Sequence, residues 1–123
     1  MIFLDTNILI DYYRGQETIR EQLHQIGFSE LGISVITPME LYYGARNKQE
    51  LLRLKHSLTS LHIFYLTTSI SQRALHLIEL FAKSHTLQIP DALIAATAID
   101  HDLPLFTLNT KDFQFIPDIT LYT

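Results

Sequence analysis

The sequence predicts an α/β fold built on a mostly parallel sheet of four to five short strands, and three observations carry that prediction. Short apolar runs of strand type recur at 2–4 (IFL), 32–36 (GISVI), 62–67 (HIFYLT) and 104–109 (PLFTLN), with ITLYT at the end. Stretches of helical periodicity separate the first four, and strands joined through helices run parallel, because the chain must cross back over the sheet before it can pair again. At 123 residues the chain is near the common size of one domain, so a single domain over 1–123 is expected.

Each element has its own signal. IFL is a short buried strand, and TNILIDYYRG follows it with apolar residues at 8, 9, 12 and 13 until Gly15 stops the helix. The segment 17–26 places Ile19, Leu23 and Ile26 on one helical face and ends at Gly27. GISVI is β-branched and apolar, the type of a strand covered on both faces. Thr37 as cap, Pro38 at the first helical position and Glu40 three residues beyond the cap form a capping box, which predicts a helix starting at 38. Leu51, Leu54, Leu58 and Leu61 then recur at helical spacing. After HIFYLT, Thr68 or Ser69 opens a helix through about 85, with Ile70, Ala74, Leu77 or Ile78, and Phe81 inward. Pro90 opens another that is apolar nearly all round and is therefore expected to lie in the centre.

Composition narrows the function classes. Apolar residues make up 47% and charged residues 18%, which excludes a disordered chain and leaves apolar surface for a partner, a second copy among them, to cover. There is no cysteine, so disulfides and thiolate zinc sites are excluded. No apolar run reaches the length of a membrane span, and IFL followed by an acid is no signal peptide; a cytoplasmic protein with no membrane partner is expected. The net charge of -4 is the opposite of a nucleic-acid binder's basic footprint. A carboxylate cluster around a metal ion would account for it, because the bound ion reverses the local sign.

In parallel sheets, functional groups gather beyond the carboxyl ends of the strands. Four stretches put polar residues there or in an adjoining first helical turn. Asp5 follows IFL, Glu40 follows GISVI, Asp91 follows Pro90, and Asn109 follows LFTL with Asp112 three residues on. Each has an ordinary reading as a cap or as a complement to a helix dipole. Asp5 and Asp91, however, stand among apolar residues, where an unpaired carboxylate seldom goes. Two like charges about 4 Å apart repel by something like 4 kcal/mol at an effective dielectric of 20, so such a cluster needs a cation or a shared proton. Lys111 is the one basic residue near these acids in sequence. Hard oxygen donors select Mg²⁺ or Mn²⁺, and the absence of HExxH or a close histidine pair argues against zinc. The six histidines are scattered and receive no role.

The runs FLDTNILIDY, TPMELYYGA, IPDALIAATAI and LPLFTLNTKDF, in that order and covering nearly the whole chain, resemble the PIN-domain family, specifically the VapC-type toxins of prokaryotic toxin–antitoxin pairs. The resemblance implies a three-layer α/β/α sandwich and a metal-dependent endoribonuclease that dimerises and binds a cognate antitoxin. It maps the family's near-universal acids onto Asp5, Glu40 and Asp91, and its fourth acidic position onto Asn109, a departure that leaves two readings of Asp112: substitute for the fourth acid, or cap of the turn at DF. On this reading Asp5 and Asp91 bind Mg²⁺, Glu40 completes the site through a water or orients the attacking water, and Asn7 and Thr107 fix the carboxylate rotamers. Arg14, Arg46, Lys48, Arg53 and Lys111 are then the phosphate contacts for RNA. Leu41, Tyr42, Tyr43, Leu51 and Leu52 read first as core, with an antitoxin groove as the family alternative. Two rivals remain at this point: a PIN-like domain that has lost catalysis and only binds partners, and a phosphoacceptor receiver domain, which would need paired acids after the first strand where DTN supplies one.

Overall fold

Four short strands form one parallel sheet: β1 (Ile2–Leu4), β2 (Leu31–Ser34), β3 (His62–Phe64) and β4 (Leu105–Phe106), in the order β3-β2-β1-β4. The computed structural model describes residues 1–123. Six helices connect and cover the strands: α1 (Thr6–Tyr13), α2 (Glu17–Ile26), α3 (Ile36–Tyr43), α4 (Lys48–Leu58), α5 (Thr68–Phe81) and α6 (Ile89–Asp100). Phe3 lies beside Gly32 on one side and Leu105 on the other, and Leu4 beside Ile33 and Phe106. Because alternate residues face opposite ways, this register sends Phe3 and Leu105 into one layer and Leu4, Ile33 and Phe106 into the other. The first layer packs against α5 and α6, the second against α1 to α4. The result is the parallel α/β sheet that the alternation of elements predicts, in the three-layer sandwich that the family resemblance implies.

The central helix is α6, in which Ala92, Ile94, Ala95, Ala96, Thr97 and Ala98 are all buried. Its alanines let α5 and the sheet approach closely, while Ile94 fills the space between them. Each large side chain fully buried in these layers contributes roughly 1.5–3 kcal/mol. Gly32 is required by packing: a Cβ there would stand 2.7 Å from Cε2 of Phe64, whose ring lies 5.8 Å from that of Phe3. No helix is long and apolar enough to cross a membrane.

Several expected boundaries shift for physical reasons. The capping box does not form. Helix α3 starts at Ile36, Ser34 Oγ accepts from the Ile36 N–H, and Thr37 turns inward, fully buried, to bond Thr6 instead. Pro38 is tolerated because the first N–H groups of a helix have no internal partner. The long helix ends at Phe81 rather than 85, with Thr86 at φ 56° turning the chain toward buried Leu87. The terminal run ITLYT makes only a single bridge, Leu105 to Leu121, after Asp118 at φ 68° brings it round.

Candidate functional site

The end of β1 delivers Asp5 to the carboxyl edge of the sheet, where its extended backbone makes it the N-cap of α1. Its N–H donates to the Phe106 carbonyl at 2.9 Å, which ties the residue to β4. Both carboxylate oxygens accept a bond: Oδ1 from the Thr6 N–H at 2.7 Å and Oδ2 from Thr107 Oγ1 at 2.8 Å. A helix cap needs only one of these. Since the Thr107 proton goes to Asp5, its oxygen accepts from the Asn109 N–H at 3.0 Å and, more loosely, from Asn7 Nδ2 at 3.4 Å. Asn7 and Thr107 thus hold the Asp5 rotamer.

A second chain of bonds starts at Thr6. Its hydroxyl donates to Glu40 Oε1 at 2.8 Å and lies 2.8 Å from the hydroxyl of Thr37. A hydroxyl has one proton, so Thr37 donates to Thr6 and Thr6 to Glu40. Glu40 therefore keeps Oε2 for another donor. The sequence marks Thr37 only as a helix cap and does not single out Thr6, because a threonine after a strand reads as a helix start. Their pairing depends on β1 and β2 lying side by side.

Asp91 enters from the first turn of α6. Burial pushes its pKa up to about 6, and the negative charges of Asp5, Asp112 and Glu40 add to the rise. Burial also raises Asp5, against the two hydrogen bonds that favour its ionised form, and Glu40 and Asp112 push the same way. Four carboxylates thus share one region, and none takes part in any of the fold's ion pairs. Asp112 stands in the tight turn Thr110–Asp112, its N–H bonded to the Asn109 carbonyl at 3.0 Å. Of the two candidates for the fourth acidic position, Asn109 is bound by its backbone to Thr107, whereas the charge of Asp112 reaches both Asp5 and Asp91.

The donor set is hard oxygen throughout and lacks a compensating cation, which suits a hard divalent ion. No three of these side chains converge tightly enough to form an ion's ligand set by themselves. An ion held by these residues would need waters to complete its shell, as Mg²⁺ characteristically does.

Of the predicted phosphate contacts, Arg14 and Arg46 line a cleft that has Glu40 in its wall, Arg53 lines an adjoining one, and Lys111 borders a cleft formed by residues 108–112. Lys48 is exposed at the start of α4. The expectation of core packing holds for Leu41 and fails for Tyr43, which is 96% exposed, and for Leu52, which is half exposed.

The PIN domain family model matches residues 2–117. Ribonuclease VapC10 of Mycobacterium tuberculosis is 36% identical over 97% of this chain and 90% of its own length. Ribonuclease VapC1 of Rickettsia felis is 31% identical over 99% of this chain and 95% of its own. Among solved structures, a toxin–antitoxin complex from Klebsiella pneumoniae has a chain with TM-score 0.82 and 35% identity, covering 98% of this chain and 96% of that one. VapBC2 from Rickettsia felis, bound to a DNA fragment from its promoter, aligns with TM-score 0.83 and 29% identity over 99% of this chain and 98% of that one. The chain belongs to the PIN-domain family, in its VapC branch.

Proposed function

We propose that the protein is a Mg²⁺-dependent endoribonuclease, the toxin of a toxin–antitoxin pair, with Mn²⁺ as the alternative metal. The observation that carries this reading is the group of four carboxylates without a cationic partner at the carboxyl edge of a parallel sheet, with Asp91 pushed up to about 6 among them. Relatives named as VapC ribonucleases and neighbours solved as toxin–antitoxin complexes support it. On the same support the partners are RNA and a cognate antitoxin, and the family resemblance adds a second copy of the chain.

Asp5 and Asp91 would hold the metal, which would supply charge neutralisation for the scissile phosphate and for the oxyanion that develops in in-line attack. Asp5 is presented in one rotamer, because Thr6 and Thr107 occupy one lone pair on each of its oxygens. Glu40 is steadied through Oε1 by Thr6, and its free Oε2 accepts a proton from the attacking water or aligns it. Asn109 contributes a neutral carbonyl at the rim, and Asp112 supplies the fourth negative charge.

The test is incubation of a mixed RNA pool with the purified chain, stripped of any copurifying partner, in Mg²⁺, in Mn²⁺ and in EDTA, beside Asp5→Ala and Asp91→Ala. Cleavage that needs the metal and is lost in both folded variants is the expected result. Cleavage that persists in EDTA or in either variant overturns the assignment of these residues. Absence of cleavage with metal bound would leave partner binding as the function.

A further inference from the structure

The four acids are not held alike. Asp5 accepts a hydrogen bond on each carboxylate oxygen and Glu40 on one, all from threonines. Asp91 accepts none, and its surroundings act on it through burial and repulsion alone. The backbone that carries it therefore decides where it stands, and the same is true of Asp112 in its tight turn. The two segments that carry these acids meet in a cluster of three rings. Phe81 ends α5, His85 lies in the loop that leads to α6, and Phe115 comes three residues after Asp112. The His85 ring stacks on Phe115 with centroids 4.2 Å apart and planes 18° apart, while Phe81 meets Phe115 edge-on at 5.1 Å and His85 at 5.5 Å. The Ser84 hydroxyl, 2.8 Å from His85 Nδ1, fixes the imidazole's orientation.

Each side of the cluster is tied to one acid. Phe115 lies between buried Phe113 and buried Ile116, and the Thr110 carbonyl, at the start of the turn that ends in Asp112, accepts from the Phe113 N–H at 3.1 Å. On the other side, the Phe81 carbonyl accepts from the N–H groups of His85 at 3.0 Å and Leu87 at 3.3 Å. Thr86, between those two, has φ 56°, where a β-branched residue is strained. Such a conformation persists only where the surroundings impose it. Its two neighbours do so, one stacked and the other buried. The strained residue is joined in turn to α6: its carbonyl accepts from Gln88 Nε2 at 3.1 Å, and Gln88 is the N-cap of the helix whose first turn holds Asp91.

We infer that the Phe81–His85–Phe115 cluster is a latch that sets the separation of Asp91 from Asp112, with His85 and Phe115 as positioning residues for the metal site. The inference rests on the reading of Asp91 as a metal ligand, and it adds what holds that acid in place. Packing alone accounts for less. His85 and Thr86 are exposed, so neither fills the interior, and a relaxed loop would serve the core as well as a strained one. The rings join the two segments whose acids lack hydrogen bonds of their own, which is where positioning through the backbone is needed.

The test is titration of the full chain with Mn²⁺, the free ion being counted by its electron paramagnetic resonance signal. His85→Ala removes the stack, His85→Phe keeps a ring in it, and Gly32→Ala is the control, because its clash with Phe64 lies in the core. The Kd for Mn²⁺ should rise roughly tenfold in His85→Ala, return to within about threefold of the parent in His85→Phe, and stay within about twofold in Gly32→Ala. Hydrogen exchange in EDTA should quicken at the amides from Leu87 to Ala92 in His85→Ala and not in His85→Phe. Cleavage of an RNA pool by His85→Ala should need more Mg²⁺ for half its maximal rate and approach the parent's rate at saturating Mg²⁺. Parent-like Mn²⁺ binding by His85→Ala overturns the latch and leaves the metal site standing. A loss that His85→Phe fails to restore overturns it too, since a phenyl ring stacks as well as an imidazole. A parent chain that takes up no Mn²⁺ overturns the metal reading and the latch with it, and is told apart because the failure lies in the parent.

Discussion

Replacing Asp91 with asparagine should stabilise the metal-free protein at neutral pH, and the size of the effect follows from its surroundings. In the fold its pKa is about 6, against an ordinary 3.8, first because it is buried and then because Asp5, Asp112 and Glu40 repel its charge. The folded state therefore binds a proton more tightly than the unfolded state does between those two values. Stability contributed by this group is lowest above about pH 6 and rises as pH falls through 6 toward 3.8, the reverse of a salt-bridged aspartate. At about 1.4 kcal/mol for each tenfold change in proton affinity, the ceiling is about 3 kcal/mol. Asp91 is only partly buried, so solvent screening brings the expected gain to about 1–2 kcal/mol. Urea unfolding in EDTA at pH 7.5 and pH 5 measures it. The parent chain should be more stable at pH 5 than at pH 7.5, Asp91→Asn should exceed the parent at pH 7.5, and the gap should narrow at pH 5. Added Mg²⁺ should then stabilise the parent and leave the variant almost unmoved. A variant no more stable than its parent at pH 7.5 in EDTA would refute the argument that these carboxylates strain the metal-free fold.

Other substitutions separate the parts of the site. Thr6→Val removes the donor to Glu40 and leaves the fully buried Thr37 hydroxyl without its partner; unfolding should cost about 1–3 kcal/mol less, and metal titration should show roughly 10–100-fold weaker binding. Asp112→Asn withdraws a charge that disfavours ionised Asp91, so the acidic limb of a pH–rate profile should move to lower pH, whereas Asn109→Ala should leave that limb in place. Gly32→Ala drives a methyl to within 2.7 Å of the Phe64 ring and should lower stability by about 1–3 kcal/mol in urea unfolding, with no change in metal affinity because the contact is in the core.

The acids were legible because the rule that exposes them is topological. Once helices separate the strands, the sheet is parallel, and whatever follows each strand collects at one edge; Asp5 and Glu40 follow from that alone, and Asp91 from its place beside Pro90 and an apolar helix. The capping box misled because Thr37 has two competing uses. Local chemistry offers it the start of α3, and the adjacency of β1 and β2 offers it Thr6, which wins because a buried hydroxyl must find a partner. The same nonlocal dependence hid Thr6, whose sequence neighbours mark it as an ordinary first helical residue. The lengths of β3 and β4 were overestimated because apolar runs continue past the point where the ladder ends, as at exposed Tyr65, Leu66 and Leu108.

The bond between Asp5 and Thr107 joins residues 102 positions apart, and that from Thr6 to Glu40 joins residues 34 apart. The site therefore does not exist until β4 has docked on β1 and β2 has docked on the other side. Before that, each acid stands apart in water; afterwards four of them share a region with no cation, and Asp91, buried and then repelled by the other three, takes up a proton more readily. On the proposed reading, folding creates the electrostatic demand that a divalent ion would meet. On the same reading, part of the energy lost in assembling like charges would be recovered when an ion binds, so substitutions that relax the metal-free fold should be the ones that weaken metal binding.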